Sequence, residues 1–103
     1  MPAECMRAVD VVTDDLRSCI DQLDVLYMTR PQWERGTRTH PYALTPELLR
    51  LAKPSMTIMH PLPRNDELPT SVDADPRAAY FRQMRNGLHV RMALLPMVFS
   101  GTY

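Results

Sequence analysis

One stretch of the chain that could bind an anion is "TRPQWER", residues 29–35. Arg30 carries a planar guanidinium, which can grip a carboxylate or a phosphate through two parallel hydrogen bonds. The amide of Gln32 can donate to the same anion, and Glu34 can pair with Arg30 and hold its orientation. The same spacing is also typical of an Arg–Glu pair on a protein surface, so it leaves both interpretations open.

A second stretch, "HPLPR" from His60 to Arg64, is stiff for a loop. Pro61 and Pro63 fix their own φ angles and restrict the residues before them. An X–Pro bond here can be cis, which would turn backbone carbonyls inward at a tight corner, where they could accept from a substrate amine. The alternative is a structural turn between a strand and a helix. His60 by itself indicates a structural hydrogen-bonding group rather than a catalytic acid or base.

The elements around these stretches predict where they lie. Short runs of β-branched or apolar residues predict three strands: "AVDVV" (8–12), "DVLYM" (24–28) and "SMTIMH" (55–60). Capping residues and helical spacing predict three helices: 13–23 capped by Thr13, 44–53 capped by Thr45, and a long one over about 76–99 capped by Asp75. This alternation favours an α/β fold with a parallel sheet. Ligands of such sheets bind beyond the carboxyl ends of the strands, so both stretches are expected at one cleft.

Composition narrows the class of protein further. The 103 residues are enough for one small domain, and equal numbers of acidic and basic residues give no bulk attraction to nucleic acid or to an anionic membrane. Cys5 and Cys19 have neither metal-site nor disulfide spacing, so we expect reduced thiols, no bound metal and a cytoplasmic protein. The chain also lacks an apolar run of about 20 residues and a secretory signal pattern.

Four stretches together resemble one enzyme family. They are "DVLYMTR-Q-ER" (24–35), "MHPLPR-DE" (59–67), "VD-DPRAAYFRQ" (72–83) and "NGL-VRMALL" (86–95). In order and spacing they are similar to the carboxyl-terminal part of the catalytic chain of aspartate carbamoyltransferases, over about residues 8–99. The resemblance implies a partial Rossmann-like three-layer domain with a parallel sheet and a long C-terminal helix. "HPLPR" also differs from the ornithine carbamoyltransferases, which typically have a cysteine after the histidine.

The resemblance implies transfer of the carbamoyl group from carbamoyl phosphate to L-aspartate, an early step of pyrimidine synthesis, without a metal or organic cofactor. Arg30 and Gln32 would bind the carboxylates of aspartate, with Glu34 orienting Arg30. Leu62 and Pro63 would offer backbone carbonyls to the amine and to the carbamoyl nitrogen through a cis Leu62–Pro63 bond. The remaining supporting residues are His60 and, as ties between the two domains of the family's chain, Arg64 and Glu67.

Departures from the family limit what residues 1–103 can do. They hold no counterpart of the Ser-Thr-Arg-Thr loop that binds carbamoyl phosphate, so we expect an incomplete aspartate/ornithine-binding domain without the carbamoyl-phosphate-binding domain. Such a chain would be inactive alone. The resemblance also implies that the parent enzyme is a homotrimer. Trp33 stands where the family usually has a basic residue, and Pro31 replaces an apolar β-branched residue. The loop over 36–42 is also shorter than the family's mobile loop.

Pro96 falls inside the last predicted helix, where it would kink the helix near Met92. The apolar face of this helix packs on the other domain in the family, so we expect it to be exposed here, which favours association or instability. An alternative function follows from these departures: a non-catalytic remnant that serves as an assembly or interaction module. A carbamoyltransferase for another amino acid is a third possibility, which "MTRPQ" and "HPLPR" do not favour.

Overall fold

The computed structural model describes residues 9–30 and 43–101 of the chain. Within these ranges, the strands are β1 (Val25–Tyr27) and β2 (Thr57–Met59), and the α-helices are α1 (Pro46–Leu49) and α2 (Tyr80–Ser100). Two short 3-10 turns, Leu16–Ser18 and Thr70–Val72, complete the described secondary structure.

The two strands form a parallel sheet, and β2 lies at its centre. Leu26 of β1 pairs with Ile58 of β2, and both side chains are buried. On the other side of β2, Ile58 forms a parallel bridge with Ala78. The Ile58 N–H donates to the Arg77 carbonyl at 2.9 Å, and the Ala79 N–H donates to the Ile58 carbonyl at 2.8 Å. The α/β class with a parallel sheet and a long C-terminal helix is therefore confirmed.

One apolar core lies around the sheet. Its buried members come from the strands, α1, the connecting loops and the first residue of α2: Ile20, Leu26, Met28, Leu44, Leu49, Ala52, Met56, Ile58, Leu68, Val72 and Tyr80. Thr45 caps α1 as predicted, because its hydroxyl accepts from the Leu48 N–H at 3.3 Å and Pro46 is the first helical residue. The helix is shorter than the predicted 44–53.

The predictions for the first part of the chain are partly wrong. Residues 9–12 form no strand, and the side chains of Val11 and Val12 are exposed, since β-branched residues make a strand only where a neighbouring strand pairs with them. The predicted helix over 13–23 is reduced to a 3-10 turn that starts after Asp15, whose carboxylate accepts from the Arg17 N–H. Short polar side chains compete with helical hydrogen bonds in this way. The helical spacing still identified Ile20 correctly as a core residue.

The long helix begins later than predicted. Asp75 does not cap it, because its carboxylate binds the backbone N–H and the guanidinium of Arg77 in a turn. The chain then runs beside β2, and α2 starts at Tyr80 after Ala79. The helix continues through Pro96 and ends at Gly101, which has the left-handed φ of 68° that favours glycine at a helix end. The kink near Met92 stays a prediction.

Most of α2 projects away from the core, since Tyr80 is its only fully buried residue. A row of apolar side chains at helical spacing is about half exposed, with 49% for Phe81, 55% for Leu88, 61% for Met92 and 57% for Leu95. We call these four residues the apolar stripe. Its exposure, predicted from the sequence, is confirmed. Among the described residues, no helix is both long and apolar enough to cross a membrane.

Candidate functional site

The segment that follows β2 forms a tight corner, which we call the corner loop (residues 60–67). The Leu62–Pro63 peptide bond is cis, as the resemblance implied. Leu62 itself has a φ of 50°, in the left-handed region that residues with a Cβ rarely occupy. The backbone at Leu62 and Pro63 is therefore held in an uncommon conformation directly beyond the carboxyl end of the central strand.

His60 lies at the base of this corner and is 1% exposed. Its Nδ1 accepts a hydrogen bond from the Leu62 N–H at 2.8 Å, and its Nε2 lies 3.0 Å from Oε1 of Glu67. Because Nδ1 accepts, the ring proton must be on Nε2, which donates to the carboxylate. His60 thus lies between two hydrogen-bond partners, the Leu62 N–H and the Glu67 carboxylate.

Glu67 closes the other end of the corner loop and is also 1% exposed. Its Oε1 accepts from the Asn65 N–H at 2.9 Å as well as from His60. Burial raises the pKa of the Glu67 carboxyl, but hydrogen bonds from the N–H groups of Asn65 and of Glu67 itself, and from His60, together lower it below its usual range. An ionised carboxylate therefore joins both ends of the loop.

Gln83 of α2 connects the corner loop to the end of β1. Its Oε1 accepts from the backbone N–H of His60 at 3.0 Å, and its Nε2 donates to the hydroxyl of Tyr27 at 3.2 Å. The helix thereby fixes the point at which the chain leaves β2. Sequence reasoning included Gln83 in a matching stretch but gave it no role, because nothing in its spacing indicates a partner 23 residues away.

A second connection holds the far side of the corner loop. Arg64 binds both carboxylate oxygens of Asp73, one of them at 2.7 Å, and the Tyr80 hydroxyl donates to the same carboxylate at 2.5 Å. The guanidinium also lies over the rings of Tyr80 and Phe81, 5.5 and 5.7 Å from their centres. Hydrogen bonds from Arg64 and Tyr80 lower the pKa of Asp73 to about 2, while burial and Asp73 raise the pKa of Tyr80 to about 12.

Thr29, the first residue of the stretch 29–35, lines the same cavity as Glu67, the last residue of the corner loop. A cavity of about 260 Å³ at the carboxyl end of β1 is lined by Met28 and Thr29 on one side and by Glu67 of the corner loop on another. Arg30 follows Thr29 directly and is exposed. This position agrees with the rule that ligands of parallel sheets bind beyond the strand ends.

The predicted site residues thus have different outcomes. His60, Leu62, Pro63, Arg64 and Glu67 lie together in the corner loop. Gln32 and Glu34, together with the short loop over 36–42, lie outside the described residues. The predicted role of Arg64 and Glu67 as ties between domains stays a prediction, and the structure gives both of them partners within this chain.

Comparison with known proteins agrees with this fold. Residues 6–98 match the family described as "Aspartate/ornithine carbamoyltransferase, Asp/Orn binding domain". The aspartate carbamoyltransferase catalytic subunit of Bifidobacterium longum is 55% identical over 87 residues, which cover 78% of this chain and 27% of that subunit. The multifunctional protein CAD of Squalus acanthias is 49% identical over 84% of this chain and 4% of that protein.

Among solved structures, the aspartate transcarbamoylase of Trypanosoma cruzi in complex with aspartate and phosphate has a TM-score of 0.68 and 53% identity. The match covers 84% of this chain and 26% of that one. The chain therefore belongs to the aspartate/ornithine carbamoyltransferase family and matches its Asp/Orn binding domain over residues 6–98, while the expected incompleteness of that domain stays a prediction. It spans about a quarter of the length of the bacterial relative and of the solved structure.

Proposed function

We propose that this chain supplies the aspartate-binding part of an aspartate carbamoyltransferase, which transfers the carbamoyl group of carbamoyl phosphate to L-aspartate in cytoplasmic pyrimidine synthesis. The observation that carries the proposal is the place of the corner loop: it follows β2 at Met59, whose carbonyl accepts from the Met28 N–H at 2.9 Å, so it starts next to the end of β1 that leads into Arg30. The similarity to a relative solved with aspartate and phosphate supports the choice of substrate.

In the proposed site, the backbone carbonyls of Leu62 and Pro63 accept hydrogen bonds from the aspartate amine and from the carbamoyl nitrogen. Arg30 and Gln32 bind the carboxylates of aspartate, and Glu34 orients Arg30. The amine then attacks the carbamoyl carbon and a tetrahedral intermediate forms; the amine proton passes to the departing phosphate as the C–O bond breaks, giving N-carbamoyl-aspartate and phosphate. Such a site accelerates the reaction mainly by holding the reactants in place and by stabilising charge, rather than through a general base from this chain.

The proposal includes a second half of the site. Carbamoyl phosphate is bound by the other domain of the family's catalytic chain, which the resemblance implies is trimeric, and we propose that catalysis needs that domain. The apolar stripe of α2 supports this, because an exposed row of large apolar side chains is typical of a surface that another domain or chain covers.

The test is formation of carbamoyl-aspartate from labelled carbamoyl phosphate and aspartate. The chain is assayed alone and then mixed with a separately produced carbamoyl-phosphate-binding half of a related enzyme. Arg30→Ala removes the proposed carboxylate contact, and Arg50→Ala, at the exposed end of α1, is the matched control for loss of one arginine. We expect activity in the mixture only, lost in Arg30→Ala and kept in Arg50→Ala.

The apolar stripe also favours the second candidate, a non-catalytic assembly module. That candidate gains support if the folded chain binds the carbamoyl-phosphate half but the mixture makes no product. Product from the chain alone would contradict the proposal that it holds half a site.

A further inference from the structure

Glu67 has no assigned part in binding or chemistry, yet it is one of the most deeply buried side chains of the corner loop. We propose that Glu67 is a positioning residue that acts through His60 on the backbone of Leu62. It selects the ring tautomer whose Nδ1 holds the Leu62 N–H, and so fixes the corner that presents the substrate-binding carbonyls. This inference rests on the proposed function for its consequence in catalysis, but not for its structural part.

The first step is the hydrogen bond from Leu62 to His60. Leu62 has a left-handed φ of 50°, a conformation that a leucine adopts only where its surroundings hold it. Its N–H donates to Nδ1 of His60 at 2.8 Å, across two residues. This bond fixes the peptide plane that enters Leu62, and the left-handed φ of Leu62 then sets how the following peptide, with the Leu62 carbonyl, is turned against that plane.

The second step is the choice of tautomer. A neutral imidazole carries its proton on either nitrogen, and only the form with Nε2–H leaves Nδ1 able to accept. An ionised carboxylate can only accept, so Oε1 of Glu67, at 3.0 Å from Nε2, favours that form. If the proton were on Nδ1, two donors would face each other at the corner and Nε2 would face a carboxylate without a proton between them.

The third step is what holds Glu67 itself. The Asn65 N–H donates to the same Oε1 at 2.9 Å, and the Glu67 carbonyl accepts from the Leu44 N–H at 2.9 Å, which ties the residue to the segment before α1. His60 is held in turn by Gln83 through its backbone N–H. Glu67 and His60 are both fixed by groups outside the cis peptide, so they are placed to direct it rather than to follow it.

Nitrogen NMR of the chain with labelled histidine tests the structural part without any catalysis. We expect His60 at neutral pH to have a protonated Nε2 and an unprotonated Nδ1, and the exposed His89 serves as the internal reference. Glu67→Gln keeps a carbonyl that can accept from Nε2 and should keep this tautomer. Glu67→Leu removes the acceptor, and we expect the tautomer preference and the protection of the Leu62 amide from hydrogen exchange to fall together.

A matched pair of variants separates the two nitrogens of the ring. In His60→Asn, the amide oxygen can take the position of Nδ1 and accept from Leu62; in His60→Gln, the longer side chain reaches toward Glu67 instead. In the reconstituted mixture, we expect Glu67→Leu and His60→Gln to raise KM for aspartate about tenfold, the loss of one well-placed hydrogen bond, with KM for carbamoyl phosphate unchanged. His60→Asn should stay closer to the unsubstituted chain.

Leu49→Ala is the control for lost stability, since Leu49 is a buried core residue of α1 and lies outside the corner loop. It should unfold more easily and keep its KM for aspartate. An Nδ1-protonated His60 in the unsubstituted chain would overturn the inference, and so would an unchanged KM in Glu67→Leu despite an altered tautomer. A mixture with no activity at all would refute the proposed function, while the NMR result would still decide the hydrogen-bond relay.

Discussion

Substitution of Gln83 by methionine should lower stability through one buried hydrogen bond. Methionine has nearly the same length and helix propensity as glutamine, so α2 itself is expected to persist. The change removes the acceptor of the His60 backbone N–H, which lies 3.0 Å from Oε1 in a residue that is 1% exposed. A buried N–H left without a partner costs about 1–3 kcal/mol.

The second hydrogen bond of Gln83 should contribute little. The amide donates to the hydroxyl of Tyr27 at 3.2 Å, and Tyr27 is 52% exposed, so water replaces the bond when it is lost. Tyr27→Phe removes only this bond and is the matched control. We expect it to change the free energy of unfolding by less than about 0.5 kcal/mol, which is the usual range for exposed sites.

Urea unfolding followed by circular dichroism measures the free energy of unfolding of both variants. The slope m of this free energy against urea concentration should be equal in all of them, which indicates that the unfolded state is the same. A loss of about 1–3 kcal/mol in Gln83→Met would lower Tm by roughly 4–8 °C for each kcal/mol in a domain of this size. The double variant should lose about as much as Gln83→Met alone. The hydrogen bond from His60 to Gln83 does not stabilise the fold as expected if Gln83→Met unfolds like the unsubstituted chain, or if Tyr27→Phe lowers the free energy of unfolding as much as Gln83→Met.

Two further predictions concern α2 and its first turn. Leu88→Glu places a charge in the apolar stripe and should reduce the concentration-dependent association of the chain, measured by sedimentation velocity. Asn86→Glu, at an exposed position outside the stripe, should not reduce it. Equal association of the two variants would contradict the role of the stripe. The pKa of Asp73 is lowered from 3.8 to about 2 by Arg64, so its contribution to stability is present above pH 4 and is lost as the pH falls toward 2. Asp73→Asn should flatten the fall in unfolding free energy between pH 5 and 2, and an unchanged slope would show that Asp73 does not carry it.

Local signals in the sequence predicted the parts of the fold that depend on neighbouring residues. Thr45 followed by Pro46 identified the start of α1, and the apolar runs around Leu26 and Ile58 identified a buried parallel pair. The prolines of the corner loop indicated a possible cis bond, and the resemblance placed it at Leu62–Pro63. In each case, the information lies within a few residues of the feature.

The errors arise where distant residues decide the structure. Val11 and Val12 have strand composition but form no strand within the described residues. Asp75 has the form of a helix cap, yet it binds Arg77, whose guanidinium reaches the carbonyl of Leu49 in α1 at 2.9 Å. The connection from Gln83 to His60 likewise joins two elements whose contact is set by tertiary packing, so spacing alone could not reveal it.

The position of Gln83 connects the exposed helix α2 to the corner loop. The residue lies on the first turn of α2, next to the start of the apolar stripe, and its side chain holds the N–H of His60. A helix of 21 residues is about 30 Å long, so α2 joins the exposed apolar stripe to the first turn that holds the corner loop. A surface that covers the apolar stripe would therefore contact the same helix whose first turn is hydrogen-bonded to the base of the corner loop.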